Sequence, residues 1–314
     1  MRALVTGAAG FVGRHLSARL LAGGHEIAGM VHPEEGGLEP PSKGVKTLPI
    51  DILDDSALSR AVADFRPDVV FHLAAFSNPE GSWKEARRTL EINIVGAHNL
   101  LSAASASGRK PRVLLVGSAQ QYGQVPEAEQ PISEEREQKP LTPYAVSKTS
   151  QEILGMRSFW ADELPVYHTR SFNHTGPGQA DGYVCSSFAR QVAEVEKGSR
   201  EGVLRVGNLA ARRDFTDVRD VADAYVAIVE RGRPGRGYNV CRGEAVSIRE
   251  VLDELVRLSR APVEVVVDSE RYHALDVPLM VGNPARLMNE TGWAPRYSLH
   301  DTLRDLLEDW RERI

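Results

Sequence analysis

The stretch ALVTGAAGFVGRHLSARLL, residues 3–21, decides the fold of this chain of 314 residues. Its opening letters ALV read as a short buried strand, and after Gly13 apolar residues recur at helical spacing, at Leu16, Leu20 and Leu21. Glycines between a strand and a helix let the backbone bend sharply and approach a pyrophosphate. The open N–H groups and the dipole of the helix then stabilise the charge of that group. The stretch therefore predicts a strand, turn and helix that bind a dinucleotide.

The glycines of the turn follow the spacing GxxGxxG, one residue longer in its first gap than the fingerprint GxGxxG. Glycines this close together also occur in turns that bind nothing, so the spacing alone leaves both interpretations open. The strand before the turn and the helix after it favour cofactor binding. The cofactor contacts predicted in the turn are Gly7, Gly10, Phe11, Val12 and Gly13.

Strands and helices alternate along the first half of the chain. HEIAGMV (25–31), DVVFHLAA (68–75) and RVLLVGS (112–118) read as apolar strands separated by helical segments. Such alternation predicts a parallel sheet covered on both faces. The predicted fold class is α/β, a doubly wound parallel (Rossmann) sheet with a smaller C-terminal α/β substrate domain. The predicted domains are 1–172 plus 216–243 for the cofactor, and 173–215 plus 244–314 for the substrate.

The composition disfavours several classes of protein. The net charge is −5, so no basic field favours nucleic acid or a membrane surface as a partner. The two cysteines, Cys185 and Cys241, have neither the spacing of metal ligands nor a disulfide framework, and we predict no metal. The chain opens on a predicted strand where a secreted protein carries a signal peptide, so we expect a cytoplasmic location.

The end of the second strand selects between the two nicotinamide cofactors. An acidic residue there accepts hydrogen bonds from the adenosine ribose of NAD, whereas a nearby Arg accommodates the 2′-phosphate of NADP. Val31 and His32 occupy these positions, and neither is acidic. We therefore expect NADP(H), with NAD(H) still possible. Arg14, beside the glycines, supports this choice, although it reads equally well as a solvated helix residue.

Residues at the ends of the next two strands complete the predicted cofactor site. Asp51 and Ile52 follow the third strand and are expected to flank the adenine. Small side chains at the end of the fourth strand let the cofactor lie against the sheet. The predicted contacts along this edge are His32, Asp51, Ile52, Leu73, Ala74 and Ala75.

The segment LTPYAVSK (141–148) carries the candidate chemistry. Tyr144 and Lys148 stand four residues apart on one face of a predicted helix. A free phenol, with a pKa of about 10, exchanges protons poorly at neutral pH until a neighbouring cation stabilises its anion. Ser118 ends the fifth strand, at the edge where parallel sheets bind ligands, and its hydroxyl is expected to orient a substrate oxygen. A capped helix with a surface Tyr and Lys is the alternative.

Six segments follow one another in an order that is typical of one family: TGAAGFVG (6–13), DILD (51–54), HLAA (72–75), NIVGAHNLL (93–101), GSAQQYG (117–123) and YAVSK (144–148). On these segments the chain resembles the extended short-chain dehydrogenase/reductase family over nearly its whole length. The resemblance implies that Ser118, Tyr144 and Lys148 are catalytic and that Lys148 also holds the nicotinamide ribose. It further implies that the helices near 84–107 and 143–160 form a four-helix bundle in a homodimer.

The second half narrows the resemblance to the branch that handles GDP-6-deoxyhexoses, through SFNHTGPGQ (171–179), VGNLAARRDFTDVRDVADAY (206–225) and TGWAP (291–295). That branch contains GDP-mannose 4,6-dehydratase and GDP-4-keto-6-deoxy-D-mannose reductase, so the implied substrate is a GDP-sugar. One position departs from the branch, which often carries an Arg where this chain has His273. The resemblance implies that the substrate contacts are Ser77, Asn173, Val184, Arg213 and Asp276.

Position 120 separates the two reactions of the branch. Its dehydratases carry a Glu two residues after the strand-end Ser or Thr, because elimination needs a carboxyl group that shuttles protons. This chain has Gln120, whose amide does not titrate near neutral pH. The resemblance therefore favours NADPH-dependent reduction of the C4 ketone of GDP-4-keto-6-deoxy-D-mannose to GDP-D-rhamnose, with the talose epimer left open. A GDP-mannose 4,6-dehydratase, or another nucleotide-sugar epimerase or dehydratase of the family, is the alternative.

Overall fold

The computed structural model of the protein describes residues 1–34, 43–268 and 277–314. The strands of these residues are β1 (Arg2–Thr6), β2 (Glu26–Val31), β3 (Lys46–Pro49), β4 (Val69–His72), β5 (Arg112–Ser118), β6 (Val166–Ser171), β7 (Asn173–Thr175), β8 (Val203–Val206), β9 (Arg212–Asp217), β10 (Gly237–Val240), β11 (Ala245–Ser247), β12 (Glu264–Val267) and β13 (Leu279–Met280). The helices are α1 (Phe11–Ala22), α2 (Asp55–Phe65), α3 (Gly81–Lys84), α4 (Ala86–Leu90), α5 (Gly96–Ala106), α6 (Pro143–Ala161), α7 (Val184–Lys197), α8 (Val218–Arg231), α9 (Ile248–Leu258), α10 (Ala285–Thr291) and α11 (Leu299–Arg313).

A seven-stranded sheet forms the centre of the molecule in the order β10-β6-β5-β4-β1-β2-β3. Every neighbouring pair in it runs parallel. The chain builds outwards from β1 to β3 and then returns to the other side of β1 with β4. The strand order therefore reverses between β1 and β4, and sheets of this kind bind ligands at the carboxyl ends of the strands that flank such a reversal. The predicted doubly wound parallel sheet is confirmed.

Both faces of this sheet are covered by helices. Helices α1 and α8 cover one face, where Val5, Leu16 and Tyr225 are buried. Helices α2, α5 and α6 cover the other face, where Leu4 and Leu58 are buried. Because β1 is buried on both sides, its central residues 3–5 are all apolar, without the alternation of a half-exposed strand.

The second half of the chain adds a smaller layer. Strands β11, β9 and β13 form a mixed sheet in which β7 also pairs with β9. Strands β8 and β12 form a separate parallel pair. Helices α7, α9 and α11 bury a separate apolar core that includes Phe188, Leu252 and Leu306. Helix α10 packs instead against α8 and β10, with Leu287 in the core of the central sheet. The domain boundaries within the chain remain a prediction.

Helix α6 packs directly against β5 and β6 of the central sheet. Its start is fixed by Thr142, whose hydroxyl accepts the N–H of Ala145 at 3.0 Å, and by Pro143 at the first helical position. Further along, a Cβ on Gly155 would lie 2.4 Å from Cε1 of His168, so a larger residue would force the buried side chains beneath the helix to shift. None of the helices in the described ranges is long and apolar enough to cross a membrane.

Candidate active site

The glycine turn after β1 has no room for side chains. Gly7 has a φ of +67°, and a Cβ on it would lie 2.8 Å from the N of Ala74. A Cβ on Gly13 would lie 2.2 Å from the carbonyl oxygen of Gly7. Helix α1 then begins with Gly10 as its N-cap, without a side-chain cap and without an acidic residue in its first turn. The first N–H groups of the helix are therefore open to an anion, which fits the phosphate groups of a dinucleotide.

The ends of β1 and β4 are joined beside this turn. Oγ1 of Thr6 lies 2.9 Å from Nδ1 of His72 and accepts the N–H of Ala74 at 3.1 Å. Burial lowers the pKa of His72 to about 3, and the charge of Lys148 acts in the same direction. His72 is therefore neutral and serves as part of the frame. Leu73, Ala74 and Ala75 follow it, partly exposed at the reversal of strand order.

The residues predicted to meet the adenosine lie together at the ends of β2 and β3. Nε2 of His32 lies 3.6 Å from Oδ2 of Asp51, whose Oδ1 accepts the N–H of Leu53 at 2.9 Å. Ile52 is buried beside them. Arg14 is exposed, and its Nε donates to the carbonyl oxygen of Ala9 at 2.9 Å, so its side chain lies along the glycine turn.

Ser118 and Tyr144 meet at the carboxyl edge of the sheet. Ser118 ends β5, and Tyr144 is the second residue of α6. Burial raises the pKa of the Tyr144 phenol above its usual range, while a hydrogen bond with Ser118 acts to lower it. Ser118 and Tyr144 are therefore neighbours at this edge of the sheet.

Lys148 lies one helical turn below Tyr144 and is almost fully buried. Its Nζ donates to the carbonyl oxygen of Val116 at 2.8 Å and to Oε1 of Gln151 at 3.1 Å. Burial lowers the pKa of Lys148 to about 7. An amine with such a pKa is able to change its charge near neutral pH, which suits a group that assists proton transfer.

Sequence reasoning assigned no role to Asn93, which the structure places behind the site. Asn93 is fully buried in a π-helical turn, Glu91–Val95, that interrupts the predicted helix near 84–107. Its Oδ1 accepts the N–H of Phe76 at 2.8 Å, and its Nδ2 donates to Oγ of Ser147 at 2.8 Å. Oγ of Ser147 donates in turn to the carbonyl oxygen of Tyr144 at 2.7 Å. In the sequence, Asn93 opens NIVGAHNLL, one of the segments that carry the family resemblance, but no role was derived for it.

The predicted substrate contacts are spread over several elements. Ser77 is exposed in the segment after β4, and Asn173 is exposed at the start of β7, which pairs with β9. Val184 begins α7 and packs on the second core. Arg213 lies in β9, where its Nη1 donates to the carbonyl oxygen of Arg212 at 2.9 Å. The remaining predicted contact, Asp276, lies outside the described residues, as does the divergent position His273.

The central sheet, its glycine turn and the Tyr–Lys pair on α6 define an NAD(P)-dependent oxidoreductase of the extended short-chain dehydrogenase/reductase type. Residues 4–306 match the family model described as GDP-mannose 4,6 dehydratase, and the chain belongs to that family. The family recognised from the sequence is thereby confirmed.

Individual relatives agree with this assignment. The chain is 37% identical over 313 residues to the GDP-6-deoxy-D-mannose reductase of Pseudomonas aeruginosa, covering 100% of this chain and 98% of that protein. Its fold is similar to the structure of RMD from Pseudomonas aeruginosa complexed with NADPH, with a TM-score of 0.86, 36% identity and coverage of 100% and 99%. It is also similar to the UDP-glucose 4-epimerase of Thermus thermophilus in complex with NAD, with a TM-score of 0.88, 30% identity and coverage of 100% of both chains.

The buried amine predicts a pH-dependent stability. Because burial lowers the pKa of Lys148 from 10.5 to about 7, the unfolded chain binds this proton more tightly than the folded chain. The free energy of unfolding therefore gains a contribution that grows between those pH values, by up to about 1.4 kcal/mol per pH unit. Lys148→Met removes this contribution, so its stability relative to the wild type should fall steadily from pH 7 to pH 10.

Urea unfolding of the cofactor-free proteins at several pH values measures this difference. Lys84→Met, at an exposed position on α3, is the control and should differ from the wild type by a nearly constant amount. A difference between Lys148→Met and the wild type that does not change with pH would contradict the burial of a titrating amine.

Proposed function

We propose that the protein uses NADPH to reduce the C4 ketone of GDP-4-keto-6-deoxy-D-mannose, forming GDP-D-rhamnose. The observation that carries the proposal is Gln120, which stands two residues after Ser118, where dehydratases of the branch resembled carry a Glu. The name of the Pseudomonas aeruginosa relative, a GDP-6-deoxy-D-mannose reductase, supports the same reaction. The similarity to RMD complexed with NADPH supports the cofactor.

Three side chains have separate roles in the proposed reaction. NADPH, when bound, supplies a hydride to the carbonyl carbon. Ser118 donates a hydrogen bond to the ketone oxygen, and Tyr144 donates the proton that completes the alcohol. The positive charge of Lys148 then stabilises the phenolate that remains on Tyr144. One hydride and one proton together convert the ketone to an alcohol, so the reaction balances and leaves NADP⁺.

The remaining predicted contacts hold the two ligands in place. The glycine turn and the start of α1 would bind the pyrophosphate of the cofactor, and the ends of β2 and β3 its adenosine. Ser77, Asn173, Val184, Arg213 and Asp276 are the proposed contacts of the nucleotide sugar. Arg213 supplies forked donors that suit a diphosphate.

Gln120 argues against the elimination reaction. Its backbone N–H donates to Oγ of Ser118 at 3.2 Å, so the residue lies next to the candidate catalytic hydroxyl. Its side-chain amide neither gains nor loses a proton near neutral pH. Removal of the C5 proton and expulsion of the C6 hydroxyl, which a dehydratase must catalyse, therefore lack a titrating group at this position.

We expect Tyr144→Phe to lose most of its activity. The wild type should oxidise NADPH when it is given GDP-4-keto-6-deoxy-D-mannose, whereas the variant lacks the proton donor and should be slower by about 10²–10⁴-fold. Binding of NADPH, followed by fluorescence, should be retained. Tyr297→Phe, which removes a phenolic hydroxyl outside the proposed site, is the matched control and should stay active.

Mass spectrometry of two incubations separates the competing reactions. With GDP-mannose and NADP⁺, the wild type should release no water, because Gln120 offers no carboxyl group. Loss of water at a rate comparable with ketone reduction would reject our interpretation of Gln120, and a fully active Tyr144→Phe would reject the proposed proton donor. Conversion of a UDP- or GDP-sugar to its epimer without added reductant would instead favour an epimerase.

The protein should bind NADPH more tightly than NADH. His32 stands where NAD-dependent relatives of this fold carry an acid, and it does not repel a 2′-phosphate as a carboxylate would. His32→Asp should therefore weaken NADPH binding and leave NADH binding the same or stronger. Fluorescence titration gives both dissociation constants, and a tenfold preference of the wild type for NADH would overturn the proposal.

The protein should form a homodimer through α5 and α6. Ile153 and Trp160 on α6 are 63% and 71% exposed, and Val95, just before α5, is 45% exposed, which leaves a large apolar surface on this helix pair. Trp160→Glu should place a charge in the interface and favour the monomer. Met288→Glu on α10, at an exposed apolar residue away from these helices, is the control.

Sedimentation at micromolar concentration measures the result. A wild type that sediments only as a monomer would rule out the dimer.

We further propose a cytoplasmic location, which rests on the sequence pattern alone.

A further inference from the structure

A buried hydrogen-bond chain connects the end of β5 with helix α6, beneath the candidate active site. Gln121 lies in the 3₁₀ turn Ala119–Tyr122 that follows Ser118, and it is fully buried. Its Oε1 accepts the backbone N–H of Ser118 at 2.8 Å. Its Nε2 donates to Oε2 of Glu152 at 2.8 Å and to Oε1 of Gln138 at 3.0 Å. The amide oxygen of Gln121 therefore bonds the end of β5, and its amide nitrogen bonds α6.

Glu152 is the point where this chain reaches the helix. It follows Tyr144 and Lys148 at intervals of four residues, so the three side chains project from the same side of α6. Arg170 on β6 binds its carboxylate with two hydrogen bonds, from Nη2 to Oε1 at 2.6 Å and from Nε to Oε2 at 3.1 Å. Burial acts to raise the pKa of Glu152, but the bonds and charge of Arg170 outweigh it and keep the pKa below the usual range.

The carbonyl end of Gln121 is fitted against the backbone of β5. A Cβ on Gly117 would lie 2.3 Å from Oε1 of Gln121 and 2.3 Å from the carbonyl oxygen of Thr169. A larger residue at position 117 would therefore push the amide off Ser118. The close fit leaves little freedom for the turn that carries the Ser118 hydroxyl.

We propose that Gln121 is a positioning residue, which clamps Ser118 to the helix that carries Tyr144 through its paired contacts with the Ser118 N–H and the Glu152 carboxylate. This inference rests on the proposed reductase function, in which Ser118 orients the ketone oxygen. Proton transfer requires heavy-atom separations of about 2.6–3.2 Å, and an error of about 1 Å in placement costs on the order of 10²-fold in rate. Gln121 acts on the rate only through Ser118.

The first test removes the clamp. Gln121→Leu leaves the Ser118 N–H without its acceptor, and we expect kcat to fall by roughly 10–100-fold while the dissociation constant of NADPH stays unchanged. Gln191→Leu is the matched control, since Gln191 is also buried and its Oε1 accepts the N–H of Arg205 at 3.0 Å, in the second core. It should lose stability but keep kcat. An equal loss of kcat in both variants would overturn the proposal.

A double-mutant cycle distinguishes positioning from general destabilisation. If Gln121 acts through Ser118, then Gln121→Leu should cause no further loss of kcat in a Ser118→Ala background. Losses that multiply in the double variant would mean that Gln121 affects the rate by another route, and the proposal would fail.

A milder variant keeps the test valid if Gln121→Leu does not fold. In Gln121→Glu, a protonated carboxyl group still accepts from Ser118 and donates to Glu152, whereas the ionised form loses the donor and repels Glu152. The ratio of its kcat to that of the wild type should therefore fall as the pH rises through the titration of residue 121. A ratio that does not depend on pH would contradict the clamp.

Hydrogen exchange separates failure of this inference from failure of the proposed function. If the wild type does not reduce GDP-4-keto-6-deoxy-D-mannose, the reductase proposal fails, but the clamp is still tested. Exchange of the amides of residues 118–122 should be faster in Gln121→Leu than in the wild type and in Gln191→Leu. Unchanged exchange in Gln121→Leu would overturn the positioning role by itself.

Discussion

The close approach of three backbone segments at Gly7 and Gly13 is the constraint on which the rest of the structure depends. A Cβ at either position would overlap a backbone atom of the turn or of the segment after β4. Because these side chains are missing, α1 starts at the edge of β1 and points its free N–H groups at the reversal of strand order. Packing of the backbone alone therefore forms the edge of the sheet that is proposed to bind the cofactor.

Helix α6 supplies candidate catalytic side chains at this edge of the sheet. Because Gly155 has no side chain, the helix packs closely on the sheet. Tyr144 then lies at the end of β5, and Lys148 is buried against the carbonyl oxygen of Val116. Burial lowers the pKa of the amine and raises that of the phenol, so each group favours its neutral form more strongly than it does in water. The proposed reduction uses this buried pair, and Gln120, two residues after Ser118, is the reason that we expect no elimination step.

Local patterns made much of the fold predictable from the sequence. The glycine turn, the apolar strands and the Tyr–Lys spacing are each contained within a few residues, and the parallel sheet follows from their alternation. Contacts between distant segments were not predictable in this way. Helix α10 packs on the central core although its neighbours in sequence belong to the second layer. The turn Glu91–Val95 likewise bonds a distant segment, since Asn93 accepts the N–H of Phe76. The clamp at Gln121 joins positions 118, 152 and 170, which no short pattern connects. The roles of the site residues remain predictions.

The central claim is that this site transfers a hydride to C4 of the sugar without removing the proton at C5. The most direct measurement is the reduction of GDP-4-keto-6-deoxy-D-mannose by NADPH in D₂O, followed by NMR of the product, with an enzyme-free incubation of the ketone as the reference for spontaneous exchange. We predict that the product carries the hydrogen of NADPH at C4 and no more deuterium at C5 than the reference. Enzyme-dependent deuterium at C5 would contradict the account, because it would mean that a group in the site abstracts that proton.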